Sequence, residues 1–297
     1  MKSGTSDAAL AALGANSAFD VHAVEPEHIA DTVRALVDGG ARRVLVAGGD
    51  GTIATAAATL LKTPAELAIL PGGTLNHFAR DLGVSVDAPE ALALAATGAP
   101  RGADVGMVNG RVFLNTSSVG AYVRFVRVRE RLEPRFGYRI ASVLAAIRIM
   151  FQFQRFGVEI EVDGVARIYR TPLLFIGVGE RELQLPTLGN RVENGRRGLH
   201  VMVVRGRSAA RLLAIGLAAV ARGVDHVSRT PQFDSFIVDR VRIDLRTRVR
   251  VAVDGELVQM DPPLEFALHR DALQVVSPPA TSATGDAAPP AGVPPAA

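Results

Sequence analysis

The feature that most narrows what this chain can fold into is a unit that occurs twice in its first third: a short apolar run, a glycine-rich turn, and the start of a helical pattern. Residues 43–47 read as a short buried strand, Gly48-Gly49-Asp50-Gly51-Thr52 as the turn, and the alanine-rich stretch 53–61 as the helix. The second copy has a strand at 67–70, the turn Pro71-Gly72-Gly73-Thr74, and a helix with Leu75, Phe78, Ala79 and Leu82 on one face. Before them, Pro26 can open a helix whose apolar residues Ile29, Val33, Leu36 and Val37 share a face, and Gly39-Gly40 ends it. After them, Asp87 and Glu90 offer a capping pair for a helix ending at Gly98. Strands alternating with helices imply a parallel sheet with helices packed on it, an α/β domain.

From about Asp104 the pattern changes to short alternating strands. Asn109-Gly110 and Asp163-Gly164 are two-residue hairpin signals, because both central positions of such a turn need positive φ. Strands are expected at 158–162, 165–169, 173–178, 199–204, 236–245 and 249–253, with helices at 140–153 and 209–220. From Ser277 onward the residues are almost wholly Pro, Ala, Ser, Thr and Gly, which predicts a disordered tail. The expected division is therefore 1–105 as the α/β domain, 106–276 as a mainly β domain, and 277–297 as the tail.

The chain has 297 residues, enough for two domains with real cores, and its 48% hydrophobic and 21% charged content is that of a globular protein. It has no cysteine, which excludes disulfides, thiolate metal sites and cysteine nucleophiles; any metal must be held by oxygen or imidazole. The formal charge is +3, carried on the basic side almost wholly by arginine, which fits an anionic ligand. No export signal is legible at the start, and the longest uncharged runs, such as 212–221, reach about half of the roughly 20 residues a spanning helix needs. A membrane would therefore be met from its surface, with no transmembrane segment. Arg124, Arg127, Arg129, Arg131, Arg135 and Arg139 form a basic run beside apolar residues; it reads either as a solvated helix face or as a contact for anionic lipid headgroups. Nucleic acid is not expected as a partner, since there is no Trp and aromatics are 5% of residues.

The chemistry lies in the loops. Glycines let backbone N–H groups approach an anion at a helix start; Asp50 can hold a metal-bound water, and Thr52 can cap the helix or donate to phosphate. A plain strand-to-helix turn would look the same. No Gly-Lys-Ser or Gly-Lys-Thr follows, so this is not a Walker loop. The second loop, Pro71-Gly72-Gly73-Thr74-Leu75-Asn76, begins about 20 residues downstream. Two such loops on neighbouring strands favour a nucleotide with two or more phosphates.

The Gly-Gly-Asp-Gly-Thr loop followed at this distance by Pro-x-Gly-Thr-x-Asn resembles the catalytic domain of the diacylglycerol kinase family, including its bacterial lipid kinases and the related sphingosine kinases. The likeness extends to Asp104-Val105-Gly106 with Asn109, to Phe113-Leu114-Asn115 before Gly120, and to Asp254-Gly255-Glu256. It implies a Rossmann-like α/β nucleotide-binding domain, a β-sandwich second domain that binds lipid, and ATP with Mg2+ in the cleft between them. By the same resemblance, Gly48, Gly49, Asp50, Gly51, Thr52, Gly72, Gly73, Thr74 and Asn76 hold the nucleotide, and Asp50 and Asp104 belong to a magnesium network. Asp254 is the base that takes the proton from the lipid hydroxyl, with Glu256 beside it. Taken alone, Asp254-Gly255 reads as a hairpin turn like Asp163-Gly164.

The resemblance thus points to an ATP-dependent kinase for the hydroxyl of diacylglycerol or a similar lipid, with a sphingoid-base or NAD kinase, or a catalytically silent nucleotide- or lipid-binding homologue, as alternatives. It places the protein in the cytoplasm, peripheral at the inner membrane face, and is compatible with a homodimer. The chain departs from the family at three points. The usual first strand with its Asn-Pro-x-Ser-Gly loop is reduced to Lys2-Ser3-Gly4, His77 follows Asn76 where many members have Asp, and Arg196-Arg197 stand where an acidic pair often precedes the Gly-Leu.

Overall fold

The structure, a computed structural model, describes residues 19–151, 156–183, 188–192, 194–204 and 233–279. The expectations for the chain's first strand and for a helix at 209–220 fall outside these residues. Two mixed α/β and β lobes share one continuous sheet.

In the first lobe the two predicted units form as strand, loop and helix. Strand β1 (Arg43–Gly48) runs parallel to β2 (Glu66–Pro71) in a register that sets Gly48 opposite Pro71. Helices Ile29–Asp38, Asp50–Leu60, His77–Asp81 and Ala88–Thr97 accompany them. The cap predicted at Asp87 is present, its carboxylate accepting from the Glu90 N–H at 3.2 Å. The far end of that helix has its own partner: Arg43 donates to the Ala95 and Gly98 carbonyls at 2.7 and 2.9 Å while its Nε bonds Glu66. A cation is favoured there because the last carbonyls of a helix are unpaired and partly negative. The core joins Val44, Val46, Ile53, Leu60, Leu67, Ile69 and Phe78, all buried.

The second lobe is a sandwich of antiparallel strands. Strands β3 (Pro100–Val108) and β4 (Arg111–Phe113) form the first hairpin, turning at Asn109 (φ 45°) and Gly110 (φ 81°). The chain continues into β5 (Thr116–Gly120) and then the long helix Ala121–Phe151, which is broken by non-helical Gly137. The pair β6 (Phe156–Val162) and β7 (Val165–Thr171) turns at Asp163 and Gly164, as their order predicts. Next come β8 (Leu173–Val178), the short hairpin β9 (Arg181–Leu183) and β10 (Leu188–Arg191), β11 (Leu199–Val204) and β12 (Phe233–Val238). The last four are β13 (Arg240–Asp244), β14 (Val249–Val253), β15 (Glu256–Met260) and β16 (Leu264–Val276). One sheet has the order β12-β11-β8-β5-β14-β15, and the other β1-β2-β16-β13-β6-β7 with β3 and β4 on the second edge of β16. Val119, Ile176, Val201 and Val251 from the first pack against Ile160, Ile243, Leu264 and Phe266 from the second.

Three expectations need correction. The single strand expected at 236–245 is two strands in different sheets, β12 and β13, because the chain changes layer at Asp239, whose carbonyl accepts from the Leu268 N–H at 2.8 Å. The helix expected at 140–153 follows the break at Gly137, and a further helix, from Ala121 up to that break, precedes it and carries the arginine run as far as Arg135. The tail expected from Ser277 is packed at its start: Ser277 is buried and the Pro278 carbonyl accepts from Arg101 at 3.1 Å.

The division expected near residue 105 is crossed by β16. Its first half pairs with β13, its second half lies parallel to β2, and β3 pairs with its other edge on both sides of an irregularity between His269 and Leu273. Leu264 and Phe266 thus sit in the sandwich core, and Leu273 and Val275 in the core of the first lobe.

Gly106 in β3 shows how tightly the junction is packed. A Cβ at that position would lie 2.3–2.6 Å from three ring atoms of Phe113, itself fully buried and edge-to-face with Phe266 at 6.1 Å. Gly106→Ala is expected to lose about 3 kcal/mol of stability, read as a lower urea midpoint at unchanged slope.

Candidate functional site

The two glycine loops lie against each other because β1 and β2 are neighbours ending at the same level. The Gly72 N–H donates to the Gly48 carbonyl at 2.9 Å. Backbone contacts backbone: a Cβ on Gly72 would be 3.4 Å from the Gly48 Cα, and one on Gly73 would be 2.8 Å from the Gly49 Cα. At Gly73 only glycine permits this approach. Gly49 is extended (ψ 178°) and precedes the helix Asp50–Leu60, so the first N–H groups of that helix lack intrahelical partners and face the loop mouth. Thr52 turns back onto Gly48, where an added Cβ would meet its Cγ2 at 2.7 Å.

The second loop is held by its own asparagine. Asn76 is buried and left-handed (φ 51°); its Oδ1 accepts from the Gly73 N–H at 2.8 Å and its Nδ2 donates to the Gly73 carbonyl at 3.0 Å. Asn tolerates this conformation better than most residues. Asp50 then joins the loops, its Oδ1 accepting from the Phe78 N–H at 3.3 Å at the start of helix His77–Asp81. Thr74 and His77 are exposed.

The third element is the β14–β15 turn. Asp254 (φ 46°) and Gly255 (φ 89°) form it, so the Asp-Gly pair is a hairpin, and it also carries more than a hairpin requires. The Asp254 carboxylate accepts three backbone N–H bonds, from Leu114 at 2.7 Å, Asn115 at 2.9 Å and Thr116 at 2.9 Å. Its own N–H donates to the Thr116 carbonyl at 2.8 Å. Enclosure raises the pKa of this carboxyl, while the three N–H donors and the charge of Arg181 pull it back. Glu256, two residues on, reaches the first loop: its Oε1 lies 3.4 Å from where a Gly51 Cβ would be, and its Oε2 accepts from Arg111 at 2.6 Å. The turn of the β lobe is therefore placed beside the helix start of the α/β lobe.

Asp104 has a different setting from the one its motif suggests. Its side chain is 2% exposed and forked by Arg197, with Nε at 2.8 Å and Nη2 also bonded, and it accepts from the Asp271 N–H at 3.0 Å. Arg197 bonds Asp271 as well, at 2.8 Å. Burial alone would raise the Asp104 pKa, but the Arg197 fork and the Asp271 N–H outweigh it and the net shift is downward. Among the described residues no three acidic or imidazole groups converge. The magnesium pair Asp50 and Asp104 implied by the resemblance thus does not fit a bound cation, because a guanidinium already neutralises Asp104. If Arg197 fills that place, magnesium without nucleotide will leave the melting temperature unchanged, whereas Arg197→Ala will make it rise with magnesium.

Two further charged residues had no signal in the sequence. Arg181 of β9 is 2% exposed and pairs with Asp81 at 2.7 Å, tying the helix after the second loop to the sandwich. Its Nε and Nη2 donate to the Val178 carbonyl at 2.9 and 2.7 Å, and its N–H donates to the His200 Nδ1 at 2.9 Å. Burial pushes the His200 pKa down, which keeps that ring a neutral acceptor. Partners this far apart in the chain leave no periodic trace.

Residues 5–108 match the model of the diacylglycerol kinase catalytic domain. The chain is 46% identical over 83 residues to a Pseudomonas syringae pv. tomato protein named as a YegS-like lipid kinase, a match spanning 27% of each chain. It is 28% identical over 253 residues to the diacylglycerol kinase of Bacillus subtilis strain 168, covering 79% of this chain and 77% of that one. A crystal structure of a Bacillus anthracis str. Sterne protein assigned to the diacylglycerol kinases superposes with a TM-score of 0.70 at 25% identity, over 92% of this chain and 90% of that one. The paired glycine loops and the Asp-Gly-Glu turn thus stand in a chain whose first third matches the diacylglycerol kinase catalytic domain and whose fold follows a solved structure assigned to those kinases along most of its length.

Proposed function

We propose that the protein is an ATP-dependent lipid kinase that transfers the γ-phosphoryl group to the hydroxyl of diacylglycerol or a similar lipid, working in the cytoplasm at a membrane surface. The observation that carries this reading is the meeting of the Asp254-Gly255-Glu256 turn with the helix start at Gly51. A fold that only bound a nucleotide would have no need of a carboxylate turn from another lobe at that point.

In the proposed reaction the first N–H groups of helix Asp50–Leu60 receive the phosphate oxygens, and the Thr52 and Thr74 hydroxyls can donate to them. The lipid oxygen attacks the γ-phosphorus, the bond from that phosphorus to the β-bridging oxygen breaks, and ADP leaves. The hydroxyl proton passes to Asp254. A carboxylate offers about four lone-pair positions, and three are used by Leu114, Asn115 and Thr116, so one remains for the incoming proton. Glu256 orients the acceptor from the other side of the loop mouth, held by Arg111. Phosphoryl transfer needs positioning and one oriented base more than covalent chemistry.

A silent nucleotide-binding homologue is the second reading, and the Arg197 clamp on Asp104 favours it. Incubation with γ-labelled ATP and a panel of diacylglycerol, sphingoid base and NAD separates these readings. Label on diacylglycerol supports the proposal; label on sphingoid base or NAD alone redirects it.

A further inference from the structure

Large apolar side chains exposed to solvent gather on one element. In the long helix, Phe136, Ile140, Val143 and Leu144 are 40%, 56%, 60% and 38% exposed, while Ala141 and Ala145 on the opposite side are fully buried. After the break at Gly137, Ile140, Val143 and Leu144 follow helical i, i+3, i+4 spacing, so they form one outward face. This inverts the usual surface helix, which turns its bulky residues inward and its small or polar ones outward. Here a seam of alanines is buried, and the aliphatic side chains are turned to the outside.

Beyond Glu133 the charge on this segment has one sign. From residue 134 to residue 158 the sequence holds Arg135, Arg139, Arg148 and Arg155 and not a single Asp or Glu. Arg131 and Arg135 are exposed before the break at Gly137, Arg148 is exposed one turn beyond Leu144, and the Arg135 guanidinium lies 5.5 Å from the Phe136 ring centroid. On the preceding helical turns Glu130 is exposed, and Glu133 is engaged by Arg129 at 3.7 Å. Among the described residues no helix is long and apolar enough to cross a membrane, so a membrane would meet this face at its surface. An apolar strip framed by arginines is complementary to anionic headgroups over acyl chains.

From this we infer that the outer face of the helix after Gly137, with Ile140, Val143 and Leu144 as the inserting residues and Arg131, Arg135 and Arg148 as the headgroup contacts, docks the protein on an anionic lipid surface. The choice of a membrane over a protein partner rests on the lipid-acceptor reading.

The test uses the full chain without nucleotide, sedimented with vesicles of phosphatidylglycerol and phosphatidylcholine or of phosphatidylcholine alone. Binding is expected to the anionic vesicles, with Ile140→Glu/Val143→Glu weakening it by at least about tenfold at an unchanged melting temperature. Should that variant fail to fold, Arg131→Glu/Arg135→Glu reads the same surface, and loss of the preference for phosphatidylglycerol supports it. Wild-type protein that binds no vesicle, or variants that bind as wild type does, would overturn the inference. So would a concentration-dependent wild-type dimer that the Ile140→Glu/Val143→Glu change abolishes while vesicle binding stays intact, since a second copy would then cover the face. No turnover is read, so this result stands apart from phosphorylation of a dispersed short-chain diacylglycerol, which tests the kinase reading alone.

Discussion

Replacing Asp254 by asparagine is expected to lower turnover by about 10²- to 10⁴-fold, the range a positioned general base supplies, while the nucleotide dissociation constant stays within about threefold of wild type. The two loops that would hold the nucleotide make no bond to Asp254; its partners are the backbone N–H groups of Leu114, Asn115 and Thr116. Those bonds also predict a structural effect. An asparagine has one acceptor oxygen, so one of three donors must face an amide NH2, which costs about 1–3 kcal/mol and lowers the melting temperature without unfolding the chain. A pH profile separates the two roles. Because enclosure raises the Asp254 pKa and the ionised form is the base, the acidic limb of turnover should lie above the ordinary aspartate range near pH 4. Stability has the opposite sign: a carboxyl whose folded pKa is raised favours the folded state most below its unfolded pKa, and this contribution is lost as pH rises through the folded value. If turnover survives in the asparagine variant, Asp254 is only the clasp of the 114–116 loop.

The second large effect is expected at Gly73. An alanine Cβ there would stand 2.8 Å from the Gly49 Cα and 2.9 Å from the Asn76 Oδ1. Neither neighbour is the free end of a flexible side chain, so the loops must part. With overpacking penalties of about 1–3 kcal/mol, nucleotide affinity should fall by about 10- to 100-fold, readable by calorimetric titration. Gly157→Ala is the matched control, since nothing lies within 4 Å of its added Cβ. Equal nucleotide affinity in both variants would contradict the two-loop site.

Much of this arrangement is written locally. Asn109-Gly110, Asp163-Gly164 and Asp254-Gly255 all turn with positive φ at both residues, because that dipeptide alone satisfies the turn. The paired loops were legible because a glycine run after an apolar strand has few other uses in a parallel sheet. What escaped the sequence is long-range. Nothing between Phe236 and Leu245 signals a break, since both halves alternate and the change of sheet needs only the Asp239 carbonyl to capture Leu268. Likewise, β16 shows no local sign that its ends belong to different cores.

The Arg197 fork on Asp104 is the instructive case. Asp104 stands out in the sequence by its motif and Arg197 by reversing the usual charge, but only the fold brings them into contact. A motif fixes which residue is present, whereas its electrostatic role depends on what is folded against it.

The most direct test of the account is a single-turnover assay with γ-labelled ATP and dispersed short-chain diacylglycerol. Transfer of label to the lipid by the wild-type protein, and its loss in Asp254→Asn with nucleotide binding retained, is the predicted result. Nucleotide binding with no transfer to any lipid alcohol would contradict it.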